Sequence, residues 1–215
     1  MVGTLLFMTS FADRSNYWDD RYRTVGADLV SWFELESTLS LELLDLAGVT
    51  AAAPVIDVGG GASPLAGALV ARGHADITVL DLSAQAMAQA RARLAHPDAV
   101  DWVEADLLTW SPTRRYDVWH DRAVFHFLVD PRDRATYLAV LRRALGSNGT
   151  VIVATFAEDG PTTCSGLPVQ RYSTGELVDE LGPGLAPVAT GRHDHITPAG
   201  GVQHFTWVVL RVDPS

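Results

Sequence analysis

An acid followed by a run of glycines carries the first chemistry legible in this chain. In VIDVGGGASPLAGALVARG, which begins at Val55, an apolar run ends in an acid, passes through three glycines and enters an apolar helical pattern. Glycines after a first strand let the backbone approach a ligand closely, and the next helix offers its positive N-terminus. This is a nucleotide-binding layout. A dinucleotide turn wants G-x-G-x-x-G, but Gly59 and Gly61 are followed by Pro64, so the third glycine is missing. Asp57-x-Gly59-x-Gly61 fits better, and two more acids follow at Asp81 in ITVLDLS and Asp106 in DWVEADLLTW. Each can accept hydrogen bonds without donating any.

A second group lies in YDVWHDRAVFHFL. His120, Asp121 or His126 could take a proton, Arg122 could hold an anion, and Phe125 could lie against a bound ligand. The stretch AEDGPTTCSGLPVQRYS adds Cys164, Arg171 and Tyr172. Arg171 suits an anionic substrate, while Cys164 reads as a small packing residue. In GRHDHITPAGGVQHF, alternation sets His193 and His195 on one face of a strand, with His204 returning on its partner. No Cys or acid accompanies them at an obvious ligand spacing, so they read as pocket lining and no metal is expected.

Stepping strands and helices must position these groups. Strand-like runs occur at Val55–Val58, Ile77–Leu80, Trp102–Glu104, Tyr116–Trp119 and Thr150–Phe156, with helices between most of them. Ser37–Gly48 has helical spacing. Ser63 with Pro64, Ser83, and Asp130 with Pro131 can start helices, and Ser173 with Glu176 has capping-box spacing. Strands alternating with helices imply a parallel sheet covered on both faces. Pro187–His195 and Val202–Val212 flank TPAGG with no helix between them, a hairpin signature. The expected fold is α/β, a Rossmann-like doubly wound sheet of seven mostly parallel strands ending in an antiparallel hairpin. Ligands of such sheets bind at the carboxyl ends of the strands. The stretch after Phe156 is too rich in glycine, proline and small polar residues for regular structure, and is expected to be a covering loop.

The 215 residues fit one domain with a substantial core, and 16 basic against 26 acidic side chains leave a formal charge of −10. That surface repels phosphate backbones and anionic membranes, so nucleic acid and membrane are not expected partners. A single cysteine excludes an internal disulfide. The opening residues hold a brief apolar cluster without a basic leader, and no segment has the roughly 20 apolar residues a bilayer span needs. A cytoplasmic location is expected.

Asp57-x-Gly59-x-Gly61, with Asp81 and Asp106 after successive strands, resembles the class I S-adenosylmethionine-dependent methyltransferases over roughly residues 50–212. The resemblance implies S-adenosylmethionine as cofactor, with Asp57, Gly59 and Gly61 in the first motif. It gives Asp81, with Leu82, to the ribose hydroxyls, and Asp106, with Leu107, to the adenine amino group; Phe125 would lie against the cofactor. Ser63 stands where many members carry another glycine. Residues 1–48 resemble the helical lid that closes over the site in this family, with 49–215 as the cofactor-binding core.

Methyl transfer from a sulfonium needs alignment and exclusion of water more than it needs covalent help from the protein. The expected acceptor is a small molecule, a thiol before an amine. Tyr22, Trp32, Arg122, Arg171, Tyr172, His193 and His195 are the candidate substrate contacts, and His120, Asp121 and His126 the candidate catalytic groups. The alternative is a protein-lysine N-methyltransferase, because YWDDRY followed by SWFE resembles the opening of small lysine methyltransferases. Those carry Asp-Lys-Gly-Thr-aromatic-Asp after the fourth strand, where this chain reads Asp121-Arg122-Ala123-Val124-Phe125-His126. A cofactor-sensing binding protein and a nicotinamide dehydrogenase rank lower. The sequence does not speak to oligomeric state.

Overall fold

The structure is a computed structural model and describes residues 10–213; the apolar cluster at the start of the chain lies outside the described residues. In chain order the elements are α1 (Phe11–Val25), α2 (Thr38–Leu46), β1 (Val55–Val58), α3 (Leu65–Ala71), β2 (Ile77–Asp81), α4 (Ala84–Arg93) and β3 (Asp101–Glu104). Then come β4 (Tyr116–Arg122), α5 (Pro131–Ala144), β5 (Leu145–Phe156), β6 (Thr163–Cys164), β7 (Leu167–Pro168), α6 (Thr174–Leu181), β8 (Leu185–Ile196) and β9 (Val202–Val212). Seven strands form one sheet in the order β3-β2-β1-β4-β5-β9-β8. The first five pair in parallel, and the β8–β9 hairpin adds antiparallel to β5. The Rossmann-like fold expected from the sequence is the fold observed.

The sheet is buried on both sides, and alternation along each strand sorts its residues between two cores. Ile56, Leu80, Trp119, Val151, Val153 and Val208 face one core. Val55, Val79, Val118, Ile152 and Val209 face the other. This explains why the strands read as continuous apolar runs. Helix starts follow their caps: Ser83 accepts from Ala86 N, Asp130 from Arg132 N, and Ser173 with Glu176 closes a full capping box. α3 begins one residue after Pro64, with Ser63 Oγ accepting from Leu65 N at 3.1 Å.

Two differences from the sequence reading bear on the site. β4 runs on to Arg122, so His120, Asp121 and Arg122 belong to the strand and not to the turn after it. Consecutive strand residues point to opposite faces, so Asp121 is turned away from His120 and Arg122. The loop after β5 also contains a small antiparallel pair, β6–β7, turned at Ser165 (φ 50°) and Gly166 (φ 78°). Among the described residues, no helix is long and apolar enough to cross a membrane.

Candidate active site

The strand order reverses at β1, which lies between β2 and β4, and a sheet of this kind opens a crevice at such a switch point. A cavity of about 750 Å³ lies there, walled by the carboxyl ends of β1, β2 and β4, by α1 and by the β6–β7 pair. Asp81, Leu82, Asp106 and Leu107 line one end with Val58, Leu80 and Ala105. Trp18, Trp32, Phe127, Cys164, Leu167 and Arg122 line the other. A smaller pocket of about 40 Å³ adjoins it behind the glycine turn and shares Tyr22, Trp32, Gly59 and Arg122 as walls.

Gly59 (φ 67°) and Gly61 (φ 36°) take left-handed backbone, and both positions leave no room for a side chain. A Cβ on Gly59 would lie 2.0 Å from Val124 Cγ2, and one on Gly61 would lie 2.8 Å from Asp81 Oδ2. The turn is therefore pressed against the two walls that flank the cavity. Asp81 Oδ1 accepts from Ser83 N at 2.7 Å. Burial pushes its carboxyl up to about 7; the Ser83 amide opposes that shift and the charge of Asp57 adds to it. Asp106 Oδ1 accepts from Leu108 N at 3.0 Å, and its Oδ2 is paired with Arg14 of α1. Asp57 Oδ2 is buried with no hydrogen-bond partner.

α1 crosses the cavity and is fastened at both ends of it. Asp19 accepts from Ser83 Oγ at 2.6 Å and from Gln85 N at 3.1 Å. Tyr17 donates to the Ser165 carbonyl in the β6–β7 turn. Trp18 meets Trp32 and Phe127 edge-to-face, with centroids 5.8 and 5.2 Å apart.

At the far end, Arg122 sits among fixed partners. It pairs with Glu34 at 2.8 Å, donates to the Trp32 carbonyl at 3.0 Å and lies 3.4 Å from His195 Nδ1. Its Nε is buried without a partner. His195 Nε2 lies 2.8 Å from the Ser31 carbonyl, which can only accept, so Nε2 carries the proton and Nδ1 faces Arg122 as an acceptor. Burial, then the Arg122 charge, pushes His195 down to about 4.

The three candidate proton acceptors are dispersed and engaged. His120 binds Asp57 and Ser40 and lines only the smaller pocket. Asp121 is fully buried on the opposite face, accepting from Val124 N at 2.9 Å and from Tyr137 Oη at 2.8 Å. Burial pushes it up to about 6, opposed by those bonds. His126 is fully buried against Phe156, outside both pockets, and burial pushes it down to about 3.

Several other expected contacts also lie elsewhere. Phe125 is fully buried against Tyr137 and Tyr172, so it packs the core and does not reach the cavity. Tyr172 is part of that same core, and Arg171 turns to the Gly160 carbonyl at 3.1 Å. His204 stands opposite Asp194 in the hairpin register and binds it at 2.7 Å, so it shares Asp194's face and does not converge with His193 and His195. Among the described residues no cluster of metal-ligating side chains occurs. Tyr22, Trp32 and Arg122 do line the cavity. Arg14, Glu34 and Ser40 reach the two pockets without having been singled out.

Residues 55–149 match the family model for a methyltransferase domain. That stretch has the sequence of a methyltransferase domain. Solved structures extend the likeness over nearly the whole chain. A protein from the study of disulfide-to-thioacetal conversion in echinomycin biosynthesis is 20% identical, with a TM-score of 0.73 and 94% of each chain covered. An S-adenosylmethionine-dependent methyltransferase from Anabaena variabilis is 14% identical, with a TM-score of 0.73 and 94% and 95% covered. The 1,6-didemethyltoxoflavin N1-methyltransferase of Burkholderia thailandensis, solved with S-adenosylhomocysteine, is 21% identical, with a TM-score of 0.67 and 94% and 85% covered. No curated protein sequence matches the chain. S-adenosylmethionine is the cofactor that this likeness implies. The orphaned Asp57 oxygen, the glycine cradle and the apolar slot between Asp81 and Asp106 fit its ammonium, backbone-hugging and adenosine portions.

Proposed function

We propose that the chain methylates a small-molecule nucleophile held at the Trp18–Trp32–Phe127 end of the cavity. The observation that carries this reading is one cavity joining two strand-end carboxylates to an apolar chamber beside α1. On this reading Asp81 receives the ribose hydroxyls and Asp106 the adenine amino group. Asp57 and the glycine turn hold the amino-acid portion. When bound, the cofactor supplies a methyl group on a sulfonium, already activated for in-line displacement. The chain's own part is to align and to exclude water. The aromatic walls and α1 narrow the chamber against solvent, and Trp18 and Trp32 offer faces that attract a positive sulfonium. Arg122 carries a buried donor at Nε for an anionic or electron-rich acceptor.

A thiol is the favoured nucleophile. His120, Asp121, His126 and His195 all spend their acceptor atoms on protein partners, so the acceptor must bring its own ionisation. With a pKa of about 8.5 a thiol supplies some thiolate at neutral pH, whereas an amine arrives mostly protonated. The echinomycin and toxoflavin proteins are described for small molecules, in line with a small-molecule acceptor, although the toxoflavin protein methylates nitrogen. The test is incubation of the purified chain with methyl-labelled cofactor and a cell extract, followed by separation of labelled small molecules from labelled protein. Label in the small-molecule fraction is the expected result. Label confined to one protein would replace this reading with the lysine alternative.

A further inference from the structure

Ser40 of α2, His120 of β4 and Asp57 of β1 form a hydrogen-bonded chain behind the glycine turn, and each is 3% exposed. His120 Nδ1 lies 2.7 Å from Asp57 Oδ1, and its Nε2 lies 3.0 Å from Ser40 Oγ. A carboxylate only accepts, so Nδ1 carries a proton and Asp57 Oδ1 is fixed by it. The other oxygen, Oδ2, is buried and unpartnered. It lies 2.5 Å from where a Cβ on Gly60 would stand, so it faces the glycine turn. A buried carboxylate oxygen without a donor is costly, and here the protein offers none. Arg122 and Glu34, which line the same pocket, already pair with each other.

We infer that Ser40 and His120 are positioning residues that hold Asp57 with its free oxygen turned to the glycine turn, where it receives the ammonium group of the cofactor's amino-acid tail. They thereby make the site prefer ligands that carry that tail over ligands that end at sulfur. The inference rests on the S-adenosylmethionine reading of the cavity. Two other roles for the chain fail on geometry. A general base needs access to the acceptor, and His120 is absent from the walls of the larger cavity. The Ser–His–Asp order matches an acyl-transfer triad, but Ser40 opens only on a pocket of about 40 Å³, too small for an acyl substrate.

The experiment is calorimetry on the full chain with two ligands, S-adenosylhomocysteine and 5′-methylthioadenosine, which lacks the amino-acid tail. The wild type should bind the first more tightly. H120L should weaken S-adenosylhomocysteine by about ten- to a hundredfold, the range of a hydrogen bond to a charged group, and leave methylthioadenosine within about twofold. H120N keeps a donor near the Nδ1 position and should restore most of the preference. S40A should shift the ratio the same way by a smaller factor, with S40T close to wild type. If H120L does not fold, the S40A and S40T pair decides the matter. Equal weakening of both ligands, or no change in either, would reduce these residues to packing and overturn the inference. A wild type that binds neither ligand would instead bring down the cofactor reading beneath it.

Discussion

Burial raises the Asp81 carboxyl, and its titration gives the site a pH signature. Its carboxyl moves from an ordinary 3.8 up to about 7 in the folded chain. Between those values the folded protein holds a proton that the unfolded chain has lost. Its contribution to the stability of the free protein is therefore full below about 3.8 and falls away as pH rises through 7. Ribose hydroxyls donate, and they favour the ionised carboxylate. Binding of S-adenosylhomocysteine should therefore tighten as pH rises from 6 to 8, and the thermal shift it produces should grow over the same range. Calorimetry and melting curves at three pH values test this. Asp81→Asn should flatten the pH dependence, and Asp81→Ala should lose about ten- to a hundredfold in affinity. Asp57, Asp81 and Asp106 were legible because acids at strand ends follow the strand period. Glu34, Ser40 and Arg14 were not, since their contacts lie 88, 80 and 92 positions away in Arg122, His120 and Asp106. No local pattern encodes such pairings.

The link between β4 and the glycine turn sets what the elements can do. Val124 fills the space a Cβ on Gly59 would need, and Ala123 between β4 and Val124 holds φ at 72°, a left-handed conformation that costs an alanine energy. Asp121 fixes that bend by accepting the amides of Val124 and Phe125. Gly59→Ala should lower the melting temperature by more than the roughly 2–4 °C expected for about 1 kcal/mol in a chain of this size. Pairing it with Val124→Ala should recover the part due to the clash and leave the part due to φ, a coupling that a double-mutant cycle on melting curves reads directly. α1 permits a separate kinetic test. Arg14 holds the acid proposed for adenine, and Asp19 holds the start of α4. Asp19→Ala should speed both entry and release of S-adenosylhomocysteine in stopped flow, with a smaller effect on affinity; unchanged rates would mean that α1 does not gate the cavity. The hairpin and the strand order were visible in the sequence because two-sided burial makes strands apolar throughout. The extent of β4 was not. Its last three residues are polar, and only their pairing with β1 and β5 makes them strand.

At the scale of the whole molecule, the acceptor chamber is built from parts far apart in sequence, which is why its shape was not readable there. α1 gives Trp18, the segment before α2 gives Trp32, the end of β4 gives Arg122 and Phe127 follows it, and the β6–β7 pair gives Cys164 and Leu167. Each part has its own structural reason for being apolar or aromatic, and only their meeting makes a chamber. Its character still limits the chemistry. Burial pushes the Cys164 thiol up to about 11, so it stays protonated and does not compete as a nucleophile. Arg122 on this wall is largely matched by Glu34 and leaves its Nε without a hydrogen-bond partner. Such a wall desolvates an acceptor without supplying a base. A nucleophile that ionises unaided gains most from it, because a thiolate freed of water reacts faster while an ammonium must first lose a proton. Aliphatic and aromatic thiols, amines, phenols and carboxylates offered at equal concentration should therefore give methylated thiols as the leading products by mass. Arg122→Gln should lower turnover of anionic acceptors more than of neutral ones. Methylation of amines alone would end the thiol preference, and equal loss on all acceptors in the Arg122 variant would assign that side chain to the architecture of the chamber.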